Sequence, residues 1–515
     1  MKIIHGGLRY LQHADFTRMR QSIRERSTLM RIAPHLVHRL PVLIPTYGHG
    51  MQGKEAFSLA LAANDLISFD RNRQLDSEKH IPPGRLLSKS DCLELLPGVS
   101  PEGLTGAALF YDAQAYNSER LTLSFLRSAA EVGACLANYV GATGLMTERN
   151  HVVGVTAEDR LTGDRLAIRA RTVLNARGPW TKKILGQISK SEPAIRFAKA
   201  INLVTRPLLE TYAVGVSGQS PSQDAAAMVN KGSRLLFITP WRGRSLIGTT
   251  HVACDDDPDS FQVTEQDIQQ FLDEINQVYP AADLKREDVF FVLGGLLPIS
   301  GADRSTGEAQ LARHFRVYDH RADGVDGLFS VVGVKYTTAR DVAEKVIDLV
   351  FQVLGKKPPR SVSAYTPLYG GRIERFEAFL SAESARRPHG LPPEIVCRLI
   401  YNYGSAYGQV LRYLEGDANG SRTPPDLVLK AETVHGVREE MAQKLADIVL
   451  RRTELGTAGH PGDQALRVCA DVMGEELGWN RLRVERELQE VNEAFIWASE
   501  DEENGGARLA NTVVQ

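Results

Sequence analysis

Three short segments carry residue types that could do chemistry. The first is Val331-Val332-Gly333-Val334-Lys335-Tyr336-Thr337-Thr338-Ala339-Arg340, where a buried strand ends at a glycine and two threonines precede a helix. A helix N-terminus presents unpaired N–H groups and about half a positive charge. That suits a phosphate or an electron-rich ring edge, and Lys335 would add a cation. The same pattern also serves an ordinary strand, tight turn and threonine-capped helix, with Lys335 in solvent. The second segment is Ile4-His5-Gly6-Gly7-Leu8-Arg9-Tyr10. Its adjacent glycines permit close backbone approach to a ligand, and His5 could act as acid or base or sit on a surface loop. The third, Ile247-Gly248-Thr249-Thr250-His251, reads as a strand end with two hydroxyls. No Ser-His-Asp order, metal-ligand cluster or Walker loop emerges. His35 and His38 lack carboxylate or cysteine company and read as structural.

The elements that must position these residues belong to a chain of 515 residues, long enough for two or three domains. Hydrophobic residues make up 43% and charged residues 24%, as in a soluble globular protein. A formal charge of -2 offers no field for nucleic acid. The five cysteines lie far apart, which argues against a disulfide framework or zinc site and fits a reducing compartment. Neither a signal peptide nor a membrane span is visible, and surface attachment stays open.

A helix over Phe16–Ile32 has Asp15 as its N-cap and an Arg-rich face suited either to solvent or to anionic lipid. A helix from Ser118 to Val132 leads into a strand, Cys135 to Val140. A hairpin of Val152–Val155 with Leu166–Ile168 follows, then a strand at Thr172–Leu174 with a Gly-Pro stop. Strand-like runs at Leu235–Ile238, Ser245–Gly248 and Val289–Leu293 accompany one helix, Glu265–Tyr279, and predict an antiparallel sheet. A strand at Leu328–Gly333 runs into a helix from Ala339 to Leu354. Beyond Pro359 the spacing of Val437/Met441/Leu445/Ile448 and Val484/Leu488/Val491/Phe495 predicts helices, with Gly478 as a terminator.

These segments together resemble the flavin-dependent glycerol-3-phosphate dehydrogenase/oxidase family, within the glycine oxidase and D-amino acid oxidase superfamily. The phrases that carry the likeness are Ile4–Leu11, Ala33–Leu36, Asn175–Trp180, Ile247–Thr250 and Phe329–Arg340, with Arg438–Thr453 similar to the family's C-terminal helical cap. The resemblance implies an α/β (α+β) fold. An FAD-binding dinucleotide domain would comprise 1–40, 111–190 and 326–356, and an antiparallel substrate-binding domain 41–110 and 191–325. A C-terminal all-α domain would span 370–500, with a disordered tail at 501–515. The family's first βαβ unit, with its glycine turn and acidic ribose ligand, spans roughly 30 residues and is expected to be missing before Met1.

By the same resemblance, Gly6, Gly7, Leu8, Gly333, Lys335, Tyr336, Thr337 and Thr338 would hold the flavin ring. Val140, Asn175, Ala176, Gly178 and Trp180 would line the adenosine side. His5, Tyr10, Arg313 and Lys335 are the candidates around the substrate, sn-glycerol 3-phosphate. Hydride would pass from its C2 to N5 of FAD, giving dihydroxyacetone phosphate, with quinone or oxygen taking the electrons. The family precedent is cytoplasmic, peripheral on the inner face of the cytoplasmic membrane; oligomerisation is left open. The chain departs from the family at Leu297, where an arginine is usual, and at His251 and Arg177. Two alternatives therefore stand beside the enzyme. One is a non-catalytic remnant that binds FAD weakly or not at all; the other is a flavin oxidase of another small hydroxy or amino acid.

Overall fold

Three strands with long buried runs, Val37–Tyr47, Leu104–Ala115 and Arg196–Thr205, build the largest element. The computed structural model describes residues 1–50, 53–186, 195–219, 233–254, 257–302, 309–414 and 424–495; the tail expected at 501–515 lies outside the described residues. A ten-stranded sheet runs in the order Ile3–Ile4, Leu104–Ala115, Val37–Tyr47, Ala213–Gln219, Ser233–Trp241, Arg244–Cys254, Arg196–Thr205, Val289–Ala302, Ala309–Leu311, with Arg85–Leu87 also on Leu104–Ala115. Its neighbours are antiparallel except where Ala213 and Val214 pair with Val42 and Leu43. The boundaries expected at 40/41 and 110/111 fall inside two of these strands.

The helix Glu265–Val278 begins with a Thr264–Asp267 capping box and buries Ile268, Phe271, Leu272 and Ile275 against one face of the sheet. Full burial of such side chains contributes roughly 1.5–3 kcal/mol each. Val204, Leu246, Phe291 and Leu293 form a second core with Ile448, Val449, Leu466 and Met473, so the C-terminal helices cover the other face. A small sheet joins Val173–Asn175 in parallel, and Arg316–Asp319 antiparallel, to Leu328–Val332. The hairpin predicted around 152–168 is present within a three-stranded meander, Val140–Glu148, His151–Asp159 and Arg165–Arg169.

Two expected elements differ. The strand predicted over Cys135–Val140 forms only from Val140 onward. Residues 134–137 form no regular element and pair with no strand among the described residues, and an apolar segment cannot form a ladder without a partner. The helical spacing through Val437, Met441 and Leu445 is interrupted. The helix Pro424–Glu440 stops at Met441, which is left-handed at φ 55°, and Asp447 then accepts from the Gln443 and Lys444 N–H groups to restart it.

That interruption serves a buried junction. Arg120, on the helix Ser118–Glu131, donates to both oxygens of Glu440 at 2.8 and 2.6 Å and to the carbonyl of Asn402 at 3.2 Å. Its guanidinium also lies 4.2 Å from the Tyr403 ring centroid. Burial alone would push the Glu440 carboxyl up, but Arg120 and then His435 hold it at about 2. Because the folded value lies below the unfolded one, the junction's stability is present above the ordinary carboxyl range and is lost as pH falls toward 2. Arg120→Met leaves the buried Glu440 with only His435 beside its carboxylate, and is expected to cost about 3–5 kcal/mol in chemical denaturation. A change below ~0.5 kcal/mol would show that the junction contributes little.

Candidate active site

The site is organised by the helix Phe16–Ile32, whose N-cap Asp15 accepts from the Arg18 N–H at 3.0 Å. Its Arg-rich face is largely occupied inside the molecule. Arg26 Nη1 lies 2.8 Å from Asp112 Oδ1, while Arg340 holds the neighbouring Glu25 at 2.9 and 2.6 Å. Arg20 grips Asp70 with two bonds, and Arg31 donates to the Ala364 carbonyl. Adjacent residues 25 and 26 thus anchor two turns from opposite ends of the first 340 residues.

The first turn is His5–Leu8. Asp112, fully buried on Leu104–Ala115, accepts from the Gly6 N–H at 2.5 Å, and its Oδ2 lies 3.4 Å from His5 Nδ1. Burial would raise this carboxyl, but His5 and Arg26 hold it below the usual range. Burial in turn lowers the Arg26 guanidinium. The His5 ring is half-exposed and packs edge-on against Phe237, at 6.3 Å between centroids. Phe237 pairs with Gly248, so the third sequence segment runs beside the first. There the Thr249 hydroxyl donates to Asn202 Oδ1 at 2.8 Å.

The glycines of this turn answer to packing. A Cβ on Gly6 would stand 2.0 Å from Arg26 Nη1 and 2.8 Å from Asp112 Oδ1. Gly7 has φ 89° and would meet the Tyr10 ring and the Met19 backbone. Neighbouring protein atoms are by themselves close enough to require glycine at both positions. Tyr10 itself lies under the Arg18 guanidinium at 4.2 Å.

The second turn is Gly333–Thr338. Gly333 is left-handed at φ 80°, and a Cβ there would lie 3.3 Å from the His314 carbonyl, which places the Arg313 segment beside it. His314 Nε2 also lies 3.6 Å from Asp15 Oδ2, at the N-terminal end of the organising helix. Val334, Lys335 and Tyr336 are exposed, whereas Thr337 and Thr338 are buried. Neither threonine caps the following helix as expected: no side chain does, and the Thr338 hydroxyl donates back to the Lys335 carbonyl. The Tyr336 hydroxyl donates to the Ser118 carbonyl at 2.8 Å.

The predicted adenosine-side residues divide between the meander and the strand Val173–Asn175 with the residues just after it; that strand pairs in parallel with Leu328–Ser330 just before the second turn. Val140 opens the meander. Asn175 is buried and bonds Thr181, Ser330 and the Arg177 N–H, so its side chain serves the local turn. Ala176 and Gly178 are exposed, and Trp180 donates to Asp259 at 2.5 Å.

Sequence reasoning missed one pattern. Gly48-His49-Gly50-Met51-Gln52-Gly53 follows the strand Val37–Tyr47 and precedes the helix Lys54–Ile67, matching the spacing of a dinucleotide turn. Met51 and Gln52 lie outside the described residues. Glu55 already accepts from the Gly50 N–H at 3.1 Å and lies 3.2 Å from His49 Nδ1, so the chain supplies its own anion. The strand pairs antiparallel with Leu104–Ala115 along its whole length and in parallel only through Val42 and Leu43, whereas such a turn belongs to a parallel βαβ sheet.

The profile of FAD dependent oxidoreductases matches residues 1–337, and that of the C-terminal domain of alpha-glycerophosphate oxidase matches residues 361–484. A relative named glycerol-3-phosphate dehydrogenase, from Synechocystis sp., is 31% identical over 96% of this chain and 88% of its own length. The chain belongs to the FAD-dependent glycerol-3-phosphate dehydrogenase family. A similarly named Mycobacterium leprae protein is 30% identical over 95% of this chain and 80% of its own. The mitochondrial mouse enzyme is 28% identical, and this chain spans 66% of its length. In fold, the chain is similar to the Bacillus halodurans glycerol-3-phosphate dehydrogenase complexed with FAD, with a TM-score of 0.74 and 24% identity, covering 98% of this chain and 88% of that one.

The residues present fit the ring end of the family's cofactor. Lys335 and the N-terminus of the helix Ala339–Val353 supply positive potential, and exposed Val334 and Tyr336 supply apolar surface for a flat ring. Gly178 has no atom within 4 Å of where a Cβ would stand. If packing fixes the first turn, Gly6→Ala should destabilise the protein by about 1–3 kcal/mol in a urea titration. An unchanged midpoint would reject that explanation.

Proposed function

We propose that the chain oxidises sn-glycerol 3-phosphate to dihydroxyacetone phosphate and passes the electrons to a quinone. The observation that carries this reading is the convergence of His5, the Arg313 segment and the Lys335 turn on one helix. FAD, when bound, would supply the two-electron acceptor, taking hydride from substrate C2 at its N5. His5 would take the proton of the C2 hydroxyl. Tyr10, Arg313 and Lys335 would hold the phosphate, each bringing a donor or a cation. Gly6, Gly7 and Leu8, together with Gly333, Lys335, Tyr336, Thr337 and Thr338, would frame the flavin ring. The remaining assignment gives Val140, Asn175, Ala176, Gly178 and Trp180 to the adenosine side.

The acceptor step motivates a second element of the proposal, attachment to a lipid surface. Leu59, Ala62, Leu66 and Phe69 recur at helical spacing along and just beyond Lys54–Ile67, and the three large residues are 75%, 77% and 80% exposed. Lys54 and Arg73 are exposed nearby in sequence, exposed Arg24 acts electrostatically on Asp70, and Arg20 lies 5.3 Å from the Phe69 ring. An apolar stripe with a cationic rim suits an anionic membrane surface. Among the described residues no helix is long and apolar enough to cross a membrane.

Two measurements test these statements. Purified protein reconstituted with FAD should reduce a dye acceptor with glycerol 3-phosphate, and His5→Gln should lower kcat by about 10²–10⁴-fold. Turnover of a small amino or hydroxy acid instead would reject the substrate. On anionic vesicles the wild type should float, and Leu59→Asp/Leu66→Asp/Phe69→Asp should remain in solution; equal flotation of both would reject the stripe as the contact.

A further inference from the structure

Asp112 has two jobs, carried by its two oxygens. Oδ1 accepts from Arg26 Nη1 at 2.8 Å and from the Gly6 N–H at 2.5 Å. Oδ2 faces His5 Nδ1 at 3.4 Å. The carboxylate is buried, where an electrostatic preference for an N–H over a lone pair is strong. Phe237 flanks the imidazole edge-on.

We infer that Asp112 is a positioning residue for His5, holding its imidazole as the Nδ1–H tautomer with Nε2 unprotonated on the half-exposed edge. This rests on the reading of His5 as the group that receives the substrate's proton. A neutral imidazole carries one N–H, so whichever nitrogen faces the carboxylate becomes the donor. The other nitrogen is then left with a lone pair, as a base requires. Arg26 completes the arrangement by keeping Asp112 ionised and by occupying Oδ1, which leaves Oδ2 for the histidine.

The arrangement makes an unusual prediction for the isosteric Asp112→Asn. Arg26 and the Gly6 N–H both donate to the Oδ1 position, so the amide oxygen must stay there. The amide NH₂ then points at His5 Nδ1, which must become an acceptor, and the proton moves to Nε2. A residue that merely filled space would leave the tautomer unchanged.

The test is ¹⁵N NMR of the full chain with labelled histidine, with His5 assigned by the signals lost in His5→Gln. The wild type is expected to show the Nδ1–H tautomer, and Asp112→Asn the Nε2–H tautomer, with kcat falling by ~10²–10⁴-fold and KM little changed. An Nε2–H tautomer in the wild type overturns the inference, even should Asp112→Asn fail to fold. So does an unchanged tautomer in a folded Asp112→Asn. If the tautomer switches while His5→Gln retains full kcat, the positioning stands and the assignment of His5 as base falls.

Discussion

The arrangement around the candidate site depends on two ion pairs made by neighbours on one helix. Glu25 and Arg26 are both buried, and each meets an opposite charge from a distant part of the chain, Arg340 and Asp112. Removing one partner of a buried pair leaves an uncompensated charge, costing several kcal/mol. The helix therefore acts as a fixed spacer between the His5 turn and the Gly333–Thr338 turn. Residues more than 300 positions apart acquire a defined separation from a single rigid element.

The C-terminal helices are tied to the rest by comparable chemistry. Arg120 reaches across to Glu440, and the chain breaks its helix at Met441 to present that carboxylate. The apolar contact of Val204, Leu246 and Phe291 with Ile448 and Met473 supplies area, while the Arg120 pair supplies register. The same helix, Ser118–Glu131, also receives the Tyr336 hydroxyl, so it supports both the site and the C-terminal cap.

Much of this was legible in the sequence. The helix at Phe16–Ile32, its Asp15 cap, the strand before Gly333 and the Gly478 terminator follow local rules that act within a few residues. What escaped depends on partners remote in sequence. The arginines at 20, 26 and 31 look solvated until Asp70, Asp112 and the Ala364 carbonyl fold against them. Thr337 and Thr338 have the right types for caps, but burial turns them inward. The segment around Cys135 has strand composition, yet a strand exists only beside another. The spacing of Gly48, Gly50 and Gly53 was overlooked, and Glu55 shows why spacing alone is weak: the ligand such a loop attracts can be supplied by the next turn of helix.

The crowding around Gly6 bears on what the His-Gly-Gly phrase can report. Its glycines are dictated by Arg26, Asp112, Tyr10 and Met19, all of them protein groups. The packing of this turn therefore holds both glycines in place whatever molecule His5 meets.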